Sequence, residues 1–497
     1  MSELLMGGIS IVIFFILLLF SRNYVFSFFL FAAVCLCFLT GSLTDGLMAV
    51  FEEGIYGQIT DPAKAAMVAF IALYCGYVGT MEYGGAIKGF TRYFADGCKK
   101  TPGSVQIRAW FTSVGAFFSD LGSPGIVGTL FREKYNEMKL SRERLGLLIN
   151  LTAVPVCSMI PLVGWGLFAI GIIYNTVDVT GYPGSPIHMF FCSIPFFCFS
   201  LLAILTPLLL QSPKFIVGRL GVHEKEAREN SQTYLEARRK EEVVIDLAKE
   251  DGKGITLLLS LTVMIGVLLF FLQLQGQSLL TAEVFPFMIA LGLAFTAAAL
   301  TAILLVWIRG ERGFSQSWSL YSRMFQRTVS VTGIMVVSWM FFAIIWKTGL
   351  YQAVTGWLGD WIPTVGVFPL VFLSGAVLSS LTGSAWGTYA VVMPLGILLA
   401  QASGLSIFAG IGAAVSGGVY GDISAGNSHA MKYSAESAGV NPEEFRKTQQ
   451  PYMYRMGAAC VISYGLGALA DLWYVYMGIA VISYLILLLF GNRGRRT

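Results

Sequence analysis

Long apolar runs organise the chain. They lie at about 4–20, 24–42, 65–82, 145–174, 186–211, 255–273, 284–308, 329–346, 405–430, 453–471 and 473–490. A helix needs about 20 residues to cross a hydrocarbon core, and these runs approach or exceed that length. Two further runs, 104–131 and 364–400, are interrupted in the middle by polar, Gly-rich tips. The first tip reads Ser119-Asp120-Leu121-Gly122-Ser123-Pro124-Gly125, the second Ser379-Ser380-Leu381-Thr382-Gly383-Ser384. A helix broken at such a tip leaves backbone groups unpaired. At membrane depth that is tolerable only where the break is buried in protein or lines a wet cavity.

The basic residues orient these runs. Loop 132–144 carries Arg132, Lys134, Lys139, Arg142 and Arg144; loop 212–254 carries nine Lys/Arg, loop 309–327 four, and the tail ends Arg493-Gly494-Arg495-Arg496. Connections 43–60, 175–185 and 274–283 carry none. If 104–131 and 364–400 each enter and leave on one side, every basic loop falls on the cytoplasmic face. The pattern thus predicts an all-α polytopic membrane protein: about eleven transmembrane helices plus two re-entrant hairpins, N-terminus outside and C-terminus cytoplasmic.

The hairpins also resemble each other. Gly115-Ala116-Phe117-Phe118-Ser119-Asp120-Leu121 lies over Gly375-Ala376-Val377-Leu378-Ser379-Ser380-Leu381, an offset of 260 residues that also carries 24–42 onto 284–302 and 68–86 onto 328–346. Each unit holds five spans and one hairpin, an odd number, so the second unit is inverted. Basic loop 132–144 corresponds to about 392–404, which has no Lys or Arg, as inversion requires. The chain divides into a first transport repeat (1–211), a charged cytoplasmic linker (212–254), a second, inverted repeat (255–471), and a terminal helix with a basic tail (472–497). Inverted repeats with broken helices and a midplane site are the architecture of secondary transporters.

Composition agrees with a membrane protein. Of 497 residues 56% are hydrophobic and only 12% charged, where a soluble chain carries about twice that charge. The net charge of +4 gives no footprint for nucleic acid. The eight cysteines sit almost all inside apolar stretches with no metal-type spacing, as small buried hydrophobes do. Segment 4–20 has no basic stretch before it and no small-residue cleavage site, and reads as a retained helix. GxxxxGK[ST], HExxH and GxSxG are absent. That argues against an ATP-driven pump and against an enzyme, and leaves an ion gradient or the substrate itself to supply the energy. Of the histidines, His223 lies in the linker and reads as solvated. The linker itself balances nine acids against nine bases and reads as a solvated helical connection.

Ionisable residues inside apolar runs are the remaining chemistry, since each costs about 2.5–3.5 kcal/mol at the centre of an inserted helix. Asp120 sits at the first tip. Asp422 sits in Gly417-Gly418-Val419-Tyr420-Gly421-Asp422-Ile423-Ser424, mid-way along run 405–430. A carboxylate among Gly, Ser and free backbone carbonyls suits sodium or a proton, and the two are expected to approach each other near the midplane. Either Asp also suits the cap of a half-helix N-terminus. Glu82 lies at a helix end, open to a functional or an interfacial reading. Arg108, Lys347 and Arg455 fit snorkelling, and Asp471 fits the turn between the last two helices. Trp386, in Ala385-Trp386-Gly387-Thr388, fits either a pocket wall or plain packing.

These motifs resemble the NhaC family of sodium/proton antiporters, within the wider ion-transporter superfamily, over about residues 60 to 470. Residues Phe118-Ser119-Asp120 through Ile126-Val127-Gly128 look like that family's FxDDYxNxxIVG hairpin. Leu140-Ser141-Arg142-Glu143-Arg144-Leu145 with Thr152-Ala153-Val154-Pro155-Val156 looks like its SREKL…TAAPV stretch. Thr382-Gly383-Ser384-Ala385-Trp386-Gly387-Thr388, Gly421-Asp422 and Arg446-Lys447-Thr448-Gln449-Gln450-Pro451-Tyr452 look like its ATGTSWGT, GDHCSPISDTT and RTQLPY segments. The resemblance implies cation-coupled exchange in the inner cell membrane, with sodium or a proton as coupling ion and no cofactor. It also implies a homodimer in lipid, in which a transport domain moves against a scaffold. The chain departs from the family at Ser119 and Ser123, where the family has Asp and Asn, and at Ile423 and His429, where it has His and Asp. Two readings follow. In one, Asp120 and Asp422 bind sodium or a proton in an antiporter. In the other, the chain is an ion-coupled carrier of a small organic solute such as an amino acid or carboxylate. Its vacated site would then be lined by Ser119, Ser123, Thr382, Ser384, Thr388, Asn427 and Trp386.

Overall fold

A computed structural model describes residues 3–21, 23–96, 101–117, 122–240, 252–279, 281–324 and 328–490. Among them all regular structure is helical. The first half comprises α1 (Glu3–Ser21), α2 (Tyr24–Thr40), α3 (Leu43–Ala49), a π-helical stretch Val50–Tyr56, α4 (Gly57–Ile59), α5 (Pro62–Tyr83), α6 (Ala86–Ala95), α7 (Pro102–Gly115), α8 (Gly122–Glu137), α9 (Arg142–Met159), α10 (Gly164–Thr180), α11 (Pro186–Ser193) and α12 (Cys198–Leu209). The linker contributes α13 (Arg219–Glu229) and α14 (Ser231–Lys240). The second half comprises α15 (Gly254–Leu274), α16 (Val284–Ile308), α17 (Phe314–Met324), α18 (Thr328–Lys347), α19 (Leu350–Trp361), α20 (Thr364–Thr382), α21 (Ala385–Ala402), α22 (Ile407–Ser424), α23 (His429–Ala438) and α24 (Pro442–Gly467), followed by α25 (Trp473–Phe490).

Several helix starts are written locally. Asp61-Pro62, Thr101-Pro102, Ser185-Pro186 and Asn441-Pro442 each place a capping side chain before a proline whose missing N–H the first turn does not need. The element order then repeats. In each half a long helix (α5, α18) ends before a left-handed glycine, Gly85 at φ 76° and Gly349 at φ 71°, and a short helix (α6, α19) follows. After it come two helices in mutual contact (α7–α8, α20–α21) and then the helix packed against both (α9, α22). Seven of the described helices are long and apolar enough to cross a membrane alone, and up to ten spans result if each bent pair counts as one. The bent pairs are α9–α10 at 43°, α11–α12 at 47° and α18–α19 at 73°. Runs 145–174 and 186–211 are therefore each two helices. Run 405–430 ends as a helix at Ser424, so Asp422 lies in its last turn and caps no N-terminus.

Close backbone approach holds the second hairpin against α22. A Cβ added to Gly421 would stand 2.6 Å from the Ala376 carbonyl oxygen and 2.5 Å from Ser379 Cβ; one on Gly417 would overlap the Phe372 carbonyl oxygen. Such small-residue contacts let helices meet where lipid gives no hydrophobic drive for association. Gly421→Ala is accordingly expected to lower stability by about 1–3 kcal/mol, the usual cost of overpacking. Gly266→Ala, on α15 with nothing within 4 Å, should leave it unchanged. Thermal melts of the two purified variants check this; equal melting points would contradict the packing argument.

The described part of the linker, 212–240, is not wholly solvated. Helices α13 and α14 fold back on the start of α9, and His223, Glu224 and Arg238 are buried. Glu143, fully buried, lies 2.5 Å from Arg238 and 3.7 Å from His223 Nδ1, and accepts from Tyr234 Oη at 2.7 Å. His223 also faces Glu226 and Glu444, each at 3.5 Å. Glu224 pairs with Arg144 at 3.3 Å and accepts from the Ser141 hydroxyl at 2.8 Å. Composition alone cannot distinguish charges turned to water from charges turned to one another.

Candidate functional site

The second tip is built from three elements. Helix α20 ends at Thr382, and Gly383 turns the chain at φ 71° with its N–H on the Ser379 carbonyl. Asn427, from the loop after α22, donates from Nδ2 to the Leu381 carbonyl at 3.1 Å, and its amide fills the space a Gly383 side chain would need. Tyr24, at the start of α2, reaches in from the side. Its hydroxyl lies 2.7 Å from Thr382 Oγ1 and 3.0 Å from Thr388 Oγ1, and its ring occupies the Cβ position of Gly387. Ser384 begins α21 and gives its carbonyl to the Thr388 hydroxyl. Trp386 stands 5.1 Å from Trp165 and 4.8 Å from Phe168, ring to ring. Thr382, Ser384, Thr388, Asn427 and Trp386 therefore lie around one tip. Tyr24 was missed, because it opens an apolar run and carries no charge.

Asp422 is 5% exposed and accepts from the Ser428 hydroxyl at 3.0 Å; Ser428 in turn caps α23 by accepting from the Met431 N–H. The next carbonyl, Ile423, would be left unpaired at the helix end. It accepts instead from Asn150 Nδ2 of α9 and Gln449 Nε2 of α24, both at 3.0 Å. These two amides were also missed, although a polar residue inside run 145–174 and the paired glutamines of the 446–452 motif were visible signals. His429 is the exposed first residue of α23.

In the first half, Ser119 and Asp120 lie outside the described residues, and so does the expected approach of Asp120 to Asp422. Ser123 is buried at the start of α8, and its hydroxyl has no partner among the described residues. Glu82 is placed at this break: a Cβ on Gly122 would stand 2.5 Å from Glu82 Cδ, so the carboxylate lies over the N-terminus of α8, where a negative charge is favoured. Of the other charges, Lys347 pairs with Glu53 at 2.6 Å, Arg108 donates to the Asp96 carbonyl, and Arg455 donates to the Leu487 and Pro451 carbonyls. Asp471 sits in the α24–α25 turn at φ 51° and accepts from Ser406 N–H and Tyr476 Oη.

A shielded carboxylate beside a helix end and a cluster of hydroxyls is equipped to bind a small cation or a proton. Comparisons with known proteins point the same way. The model of the Na+/H+ antiporter family matches residues 156–470. An uncharacterized protein of Haemophilus influenzae is 22% identical over 444 residues, covering 85% of this chain and 82% of that one. Two solved structures share the fold at a TM-score of 0.51. The YdaH transporter of Alcanivorax borkumensis, 13% identical, covers 89% of this chain and 88% of its own. MtrF of Neisseria gonorrhoeae, described within a class of antimetabolite efflux pumps, is 14% identical over 90% and 85%. The chain is a multi-pass membrane protein and a secondary transporter, and it belongs to the Na+/H+ antiporter family.

Proposed function

We propose that this transporter exchanges sodium for protons by alternating access, with Asp422 as the group on which the two ions compete. The observation that carries the reading is Asp422 itself: a carboxylate buried in the last turn of α22, at the negative end of that helix, accepting from the Ser428 hydroxyl. One carboxylate cannot hold a proton and a sodium ion at once. Binding of one therefore expels the other, which is the competition that antiport needs. The two structural halves around it supply the symmetry for exposing the site first to one side and then to the other. Orientation with the N-terminus outside, and assembly as a homodimer in lipid, belong to the same proposal.

A second reading has its own support. The Tyr24, Thr382 and Thr388 hydroxyls and the Trp165–Trp386–Phe168 wall form an amphipathic surface suited to a small organic solute. Purified protein in liposomes holding a pH dye separates the two. Under the first reading, an imposed sodium gradient moves protons saturably with no organic solute present. Sodium gradients that move no protons, together with uptake of an amino acid or carboxylate, would transfer the assignment to the second.

A further inference from the structure

Asn150 lies on α9 and is 1% exposed. Both hydrogens of its amide nitrogen are committed, one to the Ile423 carbonyl at 3.0 Å and one to Gln449 Oε1 at 2.7 Å. Gln449 Nε2 donates to the same Ile423 carbonyl at 3.0 Å. This triangle fixes both amides. Turning the Asn150 amide over would set its oxygen against two acceptors, Ile423 O and Gln449 Oε1; turning Gln449 would set its oxygen against Ile423 O. Asn150 Oδ1 is thus held away from both, and it has no donor among the described residues.

A buried amide oxygen with no donor among the described residues is placed to take a partner from outside the chain. That partner is a cation, a water or an N–H or O–H of a solute. The surroundings choose between them. Asn150 touches the last turn of α22, the end of the helix that carries partial negative charge, and the residue before the contacted Ile423 is Asp422. A carboxylate and an amide oxygen are both lone-pair donors of the kind a hard monovalent cation takes. An anionic solute would be repelled by the same groups.

We infer that Asn150 supplies a neutral oxygen ligand to the cation bound at Asp422 and so sets selectivity among monovalent cations. The inference rests on the cation reading of Asp422. Gln449 then acts as a positioning residue, which locks the Asn150 amide and the α22 terminus without touching the ion.

The test uses full-length protein in liposomes, with the half-saturating sodium concentration and the lithium-to-sodium rate ratio as readouts. Asn150→Ala is expected to raise half-saturation by about tenfold or more, as loss of a metal-site partner does, and to change the ratio. Gln449→Ala removes an equivalent donor to Ile423 but leaves Asn150 its own bond to that carbonyl; it should lower the rate and shift the ratio clearly less than Asn150→Ala does. Equal shifts in the ratio for both variants would reduce Asn150 to a structural role, and no shift in either would remove it from the site. Where Asn150→Ala does not fold, Asn150→Asp, which keeps an oxygen, decides: sodium dependence with a changed ratio supports the inference, and an unchanged ratio overturns it. Asp422→Asn separates the two levels. Sodium dependence surviving in that variant defeats the cation reading as a whole. Its loss, beside an unaltered Asn150→Ala, defeats only the role given to Asn150.

Discussion

Asp422→Asn is expected to abolish sodium-driven proton movement while the folded protein stays in the membrane. Asparagine has the shape of aspartate and keeps an oxygen for the Ser428 hydroxyl, so the α22–α23 junction retains its hydrogen bond. The packing of α22 against the hairpin runs through Gly417 and Gly421, which the substitution does not touch. Only the charge is lost. Without it the buried site loses the negative charge that compensates a desolvated cation, and the carboxylate that takes up the proton in the proposed exchange. Removing one partner of a buried charge pair costs about 3–5 kcal/mol, which predicts a loss of at least about a hundredfold in rate. Ser428→Ala, which removes one hydrogen bond to the carboxylate, of about 1.5–3 kcal/mol, and leaves the charge in place, should cost less, about ten- to a hundredfold. Dye-reported exchange in liposomes, normalised to folded protein, measures both. Asp422→Asn working at the wild-type rate would end the claim that this carboxylate carries the ion.

Much of the fold was legible because a bilayer imposes coarse rules. Runs of about 20 apolar residues, polar breaks and the distribution of Lys and Arg are all one-dimensional signals. Direction is not. Run 145–174 reads as one helix, yet it bends by 43° between Met159 and Gly164, where Pro161 interrupts an otherwise apolar stretch. Run 186–211 breaks in the same way around Pro195. A hydropathy profile registers how apolar such residues are and cannot register the missing N–H that ends the helix.

At the site, the residues found from sequence were those with a motif or a charge. The tip threonines, Trp386, Asn427 and Asp422 fall in that group. Tyr24 escaped because its role comes from a contact across 358 positions of chain, made by a hydroxyl at the edge of an apolar run. Asn150 and Gln449 escaped because uncharged amides cost less to bury than carboxylates and attract less attention, although the carbonyl they serve is next to the decisive acid. Glu82 was visible as a charge, but only the fold brings the end of α5 against the start of α8.

Glu143→Gln is expected to release the linker from the transport domain. Its carboxylate is fully buried and faces Arg238 at 2.5 Å and His223 at 3.7 Å. Neutralising it leaves the Arg238 guanidinium buried without its closest counter-charge, the situation that costs about 3–5 kcal/mol when one partner of a buried pair is removed. The cost falls on docking of α13 and α14, because the spanning helices do not need this pair in order to form. Opening of that segment should therefore rise by about a hundredfold or more, every 1.4 kcal/mol being tenfold. Tryptic cleavage within 219–240 reports it, since cleavage of a transiently opened segment follows the open population when reclosing is fast. Glu229→Gln, at an exposed pair with Lys225, should change cleavage little. Tyr234 adds a pH limit to the same docking. Burial first, and then the neighbouring Glu143 carboxylate, push its hydroxyl above the ordinary 10.0. The released segment loses its phenol proton near that value while the docked one keeps it. Docking is therefore at full strength below about pH 10 and weakens as pH rises beyond it, and Tyr234→Phe should remove that alkaline weakening. Cleavage independent of both Glu143 and alkaline pH would mean that the buried charges do not hold the linker down.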